Sequence, residues 1–420
     1  MKTLLILSQT FVPDPASVGQ HIGDVAIEMA RRGYRVIVYT SARGYDDPSV
    51  QYPKYEKLHG VEVHRLDFSS FGKKSIATRV LGTASFMLQS MFVSLTTPNL
   101  GGIFFSTSPP LIGTAAVLAH WIRRFPIAYW AMDLNPDQLI AMGKLRPNEF
   151  ITHVLEFANK IILEESSLIV ALDRFMGDRL RARADVKSKM QIMPPWPHEE
   201  HLEPLPHDQN PFRSAHGLDG KFVVMYSGNH SPANPLRTLL EASLAFKDDP
   251  DIRFLFIGGG LGKEEVEEHI KKHQLTNVIS LPYQPMNQLR YSLSAADVHV
   301  VSLGDNMVGI VHPCKIYGAM AVGRPILYFG PKPSHVSDLL EEHDIGEAVS
   351  HGDVKFAELA IRRLRSYPPE RLAAMGLEAQ RVMSERLSQK ILCTRFCDYL
   401  EQTLEGREAT APSAPAFETP

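Results

Sequence analysis

Cysteine is scarce in this chain of 420 residues, which contains Cys314, Cys393 and Cys397 and no others. Cys393 and Cys397 lie four residues apart on a predicted helix, and no CxxC or CxxH spacing occurs nearby. The sequence therefore indicates neither a disulfide framework nor a cysteine-based zinc site. Such scarcity is typical of the reducing cytoplasm, which is the location we expect.

An excess of one charge and long apolar runs are also missing. The formal net charge is −3, with acidic and basic residues mixed, so the basic face of a nucleic-acid-binding protein is not expected. No stretch of about 18 uninterrupted apolar residues occurs, so the sequence predicts no membrane-spanning helix. The opening MKTLLILSQTFVPDP has too short an apolar run for a secretory signal, and a turn follows it at once.

The segment that comes nearest to a membrane-seeking sequence is 79–96, RVLGTASFMLQSMFVSLT. It is apolar but diluted by glycine, serine, threonine and glutamine, and Lys73, Lys74 and Arg79 lie at its start. Two interpretations stay open at this point. The segment is either a helix buried in its domain or, with the preceding lysines, a peripheral contact of 73–96 with an anionic membrane surface.

What the sequence does contain is a regular alternation of short apolar runs and amphipathic helical segments. Strands buried on both faces and separated by helices are typical of doubly wound parallel sheets, so we predict an α/β fold. The alternation is interrupted once, at the proline-rich segment 192–211. The predicted strands are 4–7, 36–40, 102–107, 127–133 and 168–172 before this segment, and 221–228, 254–260, 278–283, 298–303, 325–330 and 346–349 after it.

A chain of this length exceeds one compact core, so we predict two Rossmann-like domains, at 1–200 and 206–383. A final helix at 384–405 is expected to pack back on the first domain, and the Pro/Ala-rich tail 406–420 is expected to be disordered. Parallel sheets bind ligands beyond the carboxyl ends of their strands. A cleft between two facing domains is therefore the expected ligand site.

Two loops at strand ends carry candidate anion-binding groups. In 11–23, Gly19 lies near a helix start, where a backbone N–H can approach a phosphate; the alternative is a simple turn glycine. In 226–242, Gly228 and Asn229 precede a helix with Arg237 in its first turn. The helix dipole disfavours a cation there, so Arg237 either binds an anion or pairs with a nearby acid.

A third loop, VGIVHPCKIYGAMAVGRP at 308–325, contains two unusual positions. A helix predicted to start at Pro313 places Lys315 in its first turn, at an electrostatic cost of up to about 1 kcal/mol. Gly318 lies inside the same helix, where it costs about 1 kcal/mol relative to alanine. A phosphate beside Lys315 and a bulky group beside Gly318 would explain both residues, whereas a solvated lysine is the alternative for the first.

At this point the sequence resembles glycosyltransferase family 4, with its GT-B fold, and within it the WbuB- and WcaI-like bacterial exopolysaccharide and O-antigen transferases. The resemblance runs from residue 1 to about 405. Its most specific segment is GIVHPCKIYGAMAVGRPILYFG (309–330), where the family carries a similar P-S-K-x-Y pattern, with Cys314 at the serine position. The other carriers are LILSQTFVPDPASVGQHI, STSPPLIG (106–113), AMDLNPDQLIAMG (131–143) and VVMYSGN (223–229).

The resemblance implies a role for each matching residue. Asp133 would lie where the family activates the acceptor. Tyr283 and Gln284 would lie beside the nucleotide base. The residues implied to hold the donor diphosphate or its sugar are Gly19, Gly228, Asn229, Gly309, Ile310, Val311 and Lys315, and Arg237 is added on chemical grounds.

One departure from the family concerns two glutamates that many members carry eight residues apart. Ile310 and Gly318 occupy these positions here, which leaves the ribose contact unassigned and makes Gly318 a candidate for close approach of the nucleoside. No convincing DxD loop is present, so no metal and no other cofactor is expected. Asp133 and Asp137 do not form such a loop, because Pro136 separates them.

The function implied is transfer of a sugar from a nucleotide-diphosphate sugar to a saccharide or polyprenyl-linked acceptor in cell-surface polysaccharide synthesis. The resemblance also implies retention of anomeric configuration. Two alternatives stay open, a sugar-nucleotide epimerase on the same fold and a binding subunit without catalysis. His21, His120 and His312 are interpreted as structural histidines, and the glycines at 258–260 as a tight turn between strand and helix.

Overall fold

The structure is a computed structural model that describes residues 2–44, 49–67, 69, 76–198 and 201–407; for 76–80 it describes the backbone only. It divides into two compact units, of which the first comprises Met1–Trp196 with Lys390–Pro420 and the second Pro197–Gln389. The sequence predicted the first boundary between residues 200 and 206 and the second between residues 383 and 384. Lys73, Lys74 and most of the tail 406–420 lie outside the described residues.

The first unit contains a sheet in the order β3-β4-β2-β1-β5-β6-β7-β8. Every pair of neighbours is parallel except β3 and β4, which are antiparallel. The strands are β1 Thr3–Leu7, β2 Arg35–Ser41, β3 Tyr55–Leu58, β4 Val61–Leu66, β5 Leu100–Phe105, β6 Ile127–Ala131, β7 Leu168–Ala171 and β8 Met190–Ile192.

The helices that connect these strands are α1 Ser17–Arg31, α2 Ile76–Thr96, α3 Ile112–Arg123, α4 Asp137–Ala141, α5 Phe150–Glu165 and α6 Arg174–Arg181. The connections through α2, α3 and α5 all step in the same direction along the sheet. Because such crossovers are right-handed, these three helices cover one face of the sheet. The apolar core beneath them includes Phe86, Ile103, Phe105, Ile112 and Ile162.

The second unit contains an entirely parallel sheet in the order β11-β10-β9-β12-β13-β14. The chain proceeds outward in one direction from β9 and in the other from β12, so the switch point lies between these two strands. Ligands of open α/β sheets bind beyond the carboxyl ends of the strands at such a point. The strands are β9 Phe222–Ser227, β10 Ile252–Ile257, β11 Val278–Leu281, β12 Val298–Ser302, β13 Ile326–Phe329 and β14 Gly346–Val349.

The helices of the second unit are α7 Pro211–Ala215, α8 Arg237–Ser243, α9 Lys263–His273, α10 Leu289–Ser294, α11 Lys315–Ala321, α12 His335–Glu342, α13 Val354–Ser366 and α14 Pro369–Val382. A last helix, α15 Gln389–Leu404, returns to the first unit. There Phe396 packs on Trp130 and Phe104, with ring centroids 4.4 and 5.3 Å apart, and Asp398 pairs with Arg32 at 2.7 Å.

Two sequence predictions about local structure were wrong. Strands β3, β4 and β8 were not predicted. Helix α11 begins at Lys315 rather than at Pro313, because the preceding residues form a tight turn in which the Cys314 N–H donates to the His312 carbonyl at 2.9 Å. Among the residues with a described structure, no helix is both long and apolar enough to cross a membrane.

Candidate functional site

The switch point of the second sheet is built by two loops, one after β9 and one after β12. Gly228 and Asn229 follow β9 directly, and Lys315 comes from the longer loop that joins β12 to α11. The Lys315 side chain lies across Gly228, since a Cβ on this glycine would lie 2.4 Å from Lys315 Cε. The structure thus brings together two of the segments that the sequence singled out, although Gly228 and Lys315 lie 87 positions apart in the sequence.

The ammonium group of Lys315 has little to balance its charge. Its Nζ donates to Asn234 Oδ1 at 3.1 Å and lies 5.6 Å from the centre of the Tyr226 ring. Within the described part of the chain, no carboxylate pairs with it. Burial lowers the pKa of Lys315 to about 8, because a desolvated ammonium without a counter-ion is destabilised. An anion bound at Nζ would supply the missing partner.

The backbone at this site approaches itself too closely for any residue except glycine. Gly228 has φ +137°, and a Cβ on Gly258, also at φ +137°, would lie 2.0 Å from the Gly228 carbonyl oxygen. The Gly228 N–H donates to Ile257 O at 2.9 Å, so the ends of β9 and β10 are held against each other. The prediction of a tight turn between strand and helix at 258–260 is confirmed.

The residues before Lys315 form a compact loop in which most backbone donors are already used. Gly309 has φ +69°, and the N–H groups of Ile310 and Val311 both approach the Met307 carbonyl, at 3.0 and 3.3 Å. The Ile310 side chain is buried. The N–H groups of Ile310 and Val311 are thus occupied, so a donor sugar would have to bind the carbonyl oxygens of 309–311 or the Gly309 N–H. The donor-sugar contacts of 309–311 stay a prediction.

A cluster of rings packs beside this loop. His312 Nε2 lies 2.7 Å from the hydroxyl of buried Tyr317, and the His335 ring is centred 4.4 Å from the His312 ring. Gly318 is buried on α11, and a Cβ there would lie 3.6 Å from Leu293 Cδ1 of α10, an ordinary contact. A side chain at 318 would therefore point towards α10; the nucleoside contact of Gly318 stays a prediction.

Arg237 lies at the start of α8 and pairs with Glu265 of α9 at 2.7 Å, with 70% of its side chain exposed. This is the pairing that the alternative interpretation of Arg237 predicted. It explains how a cation is tolerated at the helix start without a phosphate. The diphosphate contact of Arg237 is untested and would require exchange of this exposed ion pair.

Tyr283 and Gln284 follow β11 at the same carboxyl edge of the sheet. Tyr283 is 58% exposed, and its hydroxyl lies 3.4 Å from the Gly259 carbonyl oxygen. Gln284 Nε2 donates to the carbonyl of Pro282 at 2.9 Å. An exposed ring over a glycine loop is suited to stacking with a flat base, and this role stays a prediction.

In the first unit, Asp133 lies just beyond β6 and lines a small cavity of about 20 Å³. Burial raises the pKa of this carboxyl to about 6, and none of the described residues donates to it or pairs with it. Ser106, beyond β5, lines the same cavity, and its buried Oγ has no partner within the described part of the chain. Asp137, by contrast, pairs with Arg183 and Arg179.

Gly19 lies in the first turn of α1, where a Cβ would lie 3.0 Å from the Phe11 nitrogen. Close packing of the helix on this loop accounts for the glycine, and its donor contact stays a prediction. His21 is a structural histidine, as expected, with Nδ1 2.8 Å from Ser17 O and Nε2 2.8 Å from Trp196 O. His120 likewise binds a backbone carbonyl, that of Phe125.

Sequence reasoning missed several residues of these sites. Asn234 and Tyr226 contact Lys315, and Ser106 accompanies Asp133. Asn234 gave a usable signal, because it precedes a proline between a strand and a helix. Tyr226 gave none, since it resembles any aromatic residue of a buried strand.

Two α/β units, one with a wholly parallel sheet and one with a sheet that is parallel except at β3 and β4, match a GT-B fold. Comparison with known proteins agrees. Residues 208–382 match the family model "Glycosyl transferases group 1". The glycosyltransferase WbjE of Pseudomonas aeruginosa is 23% identical over 401 residues, 94% of this chain and 97% of its own. HepE of Anabaena, solved in complex with UDP-glucose, superposes with a TM-score of 0.69 at 17% identity, covering 96% of this chain and 100% of HepE.

A third relative, the colanic acid biosynthesis glycosyl transferase WcaI of Escherichia coli K12, is 31% identical over 105 residues, 25% of this chain and 26% of WcaI. These findings support a GT-B glycosyltransferase, and the match to the group 1 family model covers residues 208–382. They do not extend to the WbuB- and WcaI-like subgroup, which stays a prediction because the WcaI match covers a quarter of the chain.

Proposed function

We propose that this protein transfers a sugar from a nucleotide-diphosphate sugar to a saccharide acceptor, which we take to be lipid-linked, in cell-surface polysaccharide synthesis. The observation that carries the proposal is the unbalanced Lys315 ammonium lying across Gly228 at the switch point of the second sheet. A diphosphate at this position would supply the counter-charge that the described residues lack. The UDP-glucose complex of HepE, which has the same fold, favours a nucleotide-sugar donor.

In the proposed reaction, a bond forms between the acceptor oxygen and the anomeric carbon of the sugar, and the bond from that carbon to the diphosphate breaks. The electron pair stays on the departing diphosphate, where Lys315 stabilises the new charge. The acceptor proton has one of two destinations: the leaving phosphate, with Asp133 only orienting the acceptor hydroxyl, or the Asp133 carboxylate acting as the base. We propose that the reaction retains anomeric configuration and uses no metal.

The proposed acceptor implies work at a membrane face. We therefore keep the peripheral membrane contact expected for 73–96, at the inner face of the cytoplasmic membrane, as part of the proposal. The support is the apolar composition of 79–96, which the structure folds as α2.

Incubation with a panel of sugar nucleotides, with and without saccharide acceptors, tests the proposal. Nucleotide released only when an acceptor is present indicates a transferase. An altered sugar without nucleotide release indicates an epimerase, and binding without turnover indicates a non-catalytic subunit. A thermal-shift screen with UDP, GDP and ADP identifies the base first, and addition of EDTA to the active mixture tests metal independence.

A further inference from the structure

An open cavity of about 590 Å³ lies in the first unit, at the edge of the sheet where the parallel strands begin. It is lined by Lys2, Leu100, Pro126, Ser167 and Lys189, each of which starts or directly precedes a strand. The ends of α3 and α15 complete its wall. The candidate donor and acceptor sites lie at the carboxyl edges of the sheets, so this cavity is separate from both. Its volume is typical of sites for small organic ligands.

The charged side chains around this cavity, which we call the basic cavity, are mostly cationic. The cations are Lys2, Arg123, Arg124, Lys189 and Arg407. Glu405 also lines the cavity and pairs with Arg407. Within the described ranges, no carboxylate forms an ion pair with any of the other four cations. Like charges gathered in this way repel one another, and an anion in the cavity would relieve the repulsion.

Contacts with backbone carbonyls explain only part of this arrangement. Lys2 Nζ donates to the Leu404 carbonyl at the end of α15, at 3.0 Å. Arg123 donates to two carbonyls around the end of α2, at 3.0 and 2.7 Å. A helix carboxyl end carries about half a negative elementary charge, so it balances only part of a cation. The exposed Arg124 side chain has no hydrogen bond or ion pair with any residue that the structure describes.

Lys189 is partly buried, and the acids near it do not compensate for its burial. Burial lowers the pKa of this lysine, even though Glu165, Glu164 and Asp185 act in the opposite direction. The carboxylates of Glu164 and Glu165 are also shared with other groups, because they lie 3.7 Å from a lysine of α5 and 3.6 Å from a histidine of α3. An anion in the basic cavity would favour the charged form of Lys189.

We infer that the basic cavity binds a small organic anion that carries at least two phosphate groups. Phosphate suits the cavity because arginine presents forked N–H donors that match phosphate oxygens, and lysine adds a compact charge. At least two groups are required because one phosphate carries at most about two negative charges at pH 7, against four cations without a paired carboxylate. Ser167 and Ser188 line the same cavity and can bind the polar remainder of the molecule. The inference concerns a second site and does not rest on the proposed function.

A bound anion would also fasten the last helix to the first unit. The basic cavity is formed jointly by the start of the chain, at Lys2, and by the residues after α15, up to Arg407. Phosphate groups that contact both would hold the two ends of the described chain together. Binding should therefore raise the melting temperature of the protein.

Isothermal titration with inorganic pyrophosphate, at constant ionic strength, tests the inference. The wild-type protein should bind pyrophosphate. The cavity variant, Arg124→Asn with Lys189→Gln, should bind it at least about tenfold more weakly, because two charge-assisted contacts are lost. Both replacements are chosen to preserve the fold. Asparagine tolerates the left-handed backbone of Arg124, at φ +58°, and glutamine can still donate to the Glu164 carbonyl that Lys189 contacts.

Two further variants show where pyrophosphate binds. The control variant, Lys144→Gln with Arg146→Asn, removes the same two charges from exposed residues between α4 and α5, beyond the carboxyl end of β6, and should bind like the wild type. Lys315→Met removes the cation of the candidate donor site and should keep the binding that the cavity variant loses. Pyrophosphate should raise the melting temperatures of the wild type and of these two variants by more than that of the cavity variant.

Three results would overturn the inference: no binding of pyrophosphate by the wild type, undiminished binding by the cavity variant, or equal loss in the control variant. Loss of all binding in Lys315→Met, with the cavity variant unaffected, would place pyrophosphate in the candidate donor site instead. Displacement of pyrophosphate by vesicles of phosphatidylglycerol would assign the basic cavity to a lipid headgroup and overturn the choice of a soluble ligand. Binding of UDP, measured on the same variants, keeps the two proposals apart, since the cavity variant should retain it.

Discussion

Replacement of Lys315 by methionine should make the protein more stable and less active at once. The pKa of this lysine falls from 10.5 to about 8 on burial, which corresponds to about 3 kcal/mol of unfavourable free energy for holding the charge, at 1.36 kcal/mol per pH unit. Two effects reduce this gain: the lysine side chain is only half-buried, and the methionine variant lacks the hydrogen bond to Asn234. We therefore expect the unfolding free energy to rise by about 1–3 kcal/mol.

The gain depends on pH in a defined direction. Below pH 8 the wild-type lysine is charged in both the folded and unfolded states, and its full cost is present. Between about pH 8 and pH 10.5 the folded protein releases the proton before the unfolded chain does, so the difference between variant and wild type disappears. Urea unfolding at pH 7 and pH 10 measures this difference.

The same variant should lose transition-state stabilisation. If Lys315 binds the departing diphosphate, its removal should cost about 2–4 kcal/mol, a fall in kcat/KM of roughly 30- to 1,000-fold. For the wild type, affinity for UDP should decline as the pH rises above 8, and this decline should vanish in the variant. Lys355→Met, at an exposed lysine of α13, is the control. A variant that is less stable than the wild type, or one that keeps its kcat/KM, would refute the reasoning.

Three further changes test other parts of the two sites. If a nucleoside packs against Gly318, the variant Gly318→Leu should raise or preserve the melting temperature and weaken nucleotide binding more than tenfold. A loss of about 1–3 kcal/mol in stability with normal nucleotide binding would instead show that Gly318 serves packing against Leu293. Asp133→Asn should raise the melting temperature at pH 8, where the wild-type carboxyl is charged and costly to bury, but not at pH 4, where the folded protein holds it neutral. The variant should also remove any acidic limb near pH 6 from the kcat/KM profile. Gly228→Ala should cost about 1–3 kcal/mol in stability by urea unfolding and displace Lys315, since its φ is +137° and the added Cβ would lie 2.4 Å from Lys315 Cε; UDP affinity equal to the wild type would contradict this.

The buried strands were predictable because they are short continuous apolar runs, a pattern that parallel sheets require. Strand β4 escaped the prediction for a physical reason. Its buried positions are Val61, Val63 and Arg65, and a charged residue at a core position conceals the alternation. Arg65 is tolerated there because its guanidinium pairs with Glu56 and donates to the Pro53 carbonyl at 3.0 Å. These partners come from outside the strand, so local pattern cannot reveal them.

The candidate donor site was predictable to the extent that single residues were chemically out of place. Lys315 conflicted with the helix dipole, whereas Gly228 was singled out by its position at the end of a strand and by the resemblance. The structure places the two against each other. Asn234 and Tyr226 are ordinary in their local context and become part of the site only through the fold. Arg237 shows that a chemically misplaced residue can also mislead. Its conflict with the helix dipole is relieved by Glu265 on another helix, so it does not require a bound phosphate.

The return of α15 to the first unit has a consequence for synthesis of the protein on the ribosome. The second unit is continuous in sequence and is complete before the last helix emerges. The first unit, although it is made first, must wait for Phe396 to cover Trp130 and Phe104, and for Leu404 to reach the Lys2 ammonium, whose Nζ donates to its carbonyl at 3.0 Å. A nascent chain halted before residue 389 therefore presents an uncovered aromatic core to the chaperones of the cell. The ribosome starts to synthesise the first unit before the second, but the second unit can complete its fold before the first.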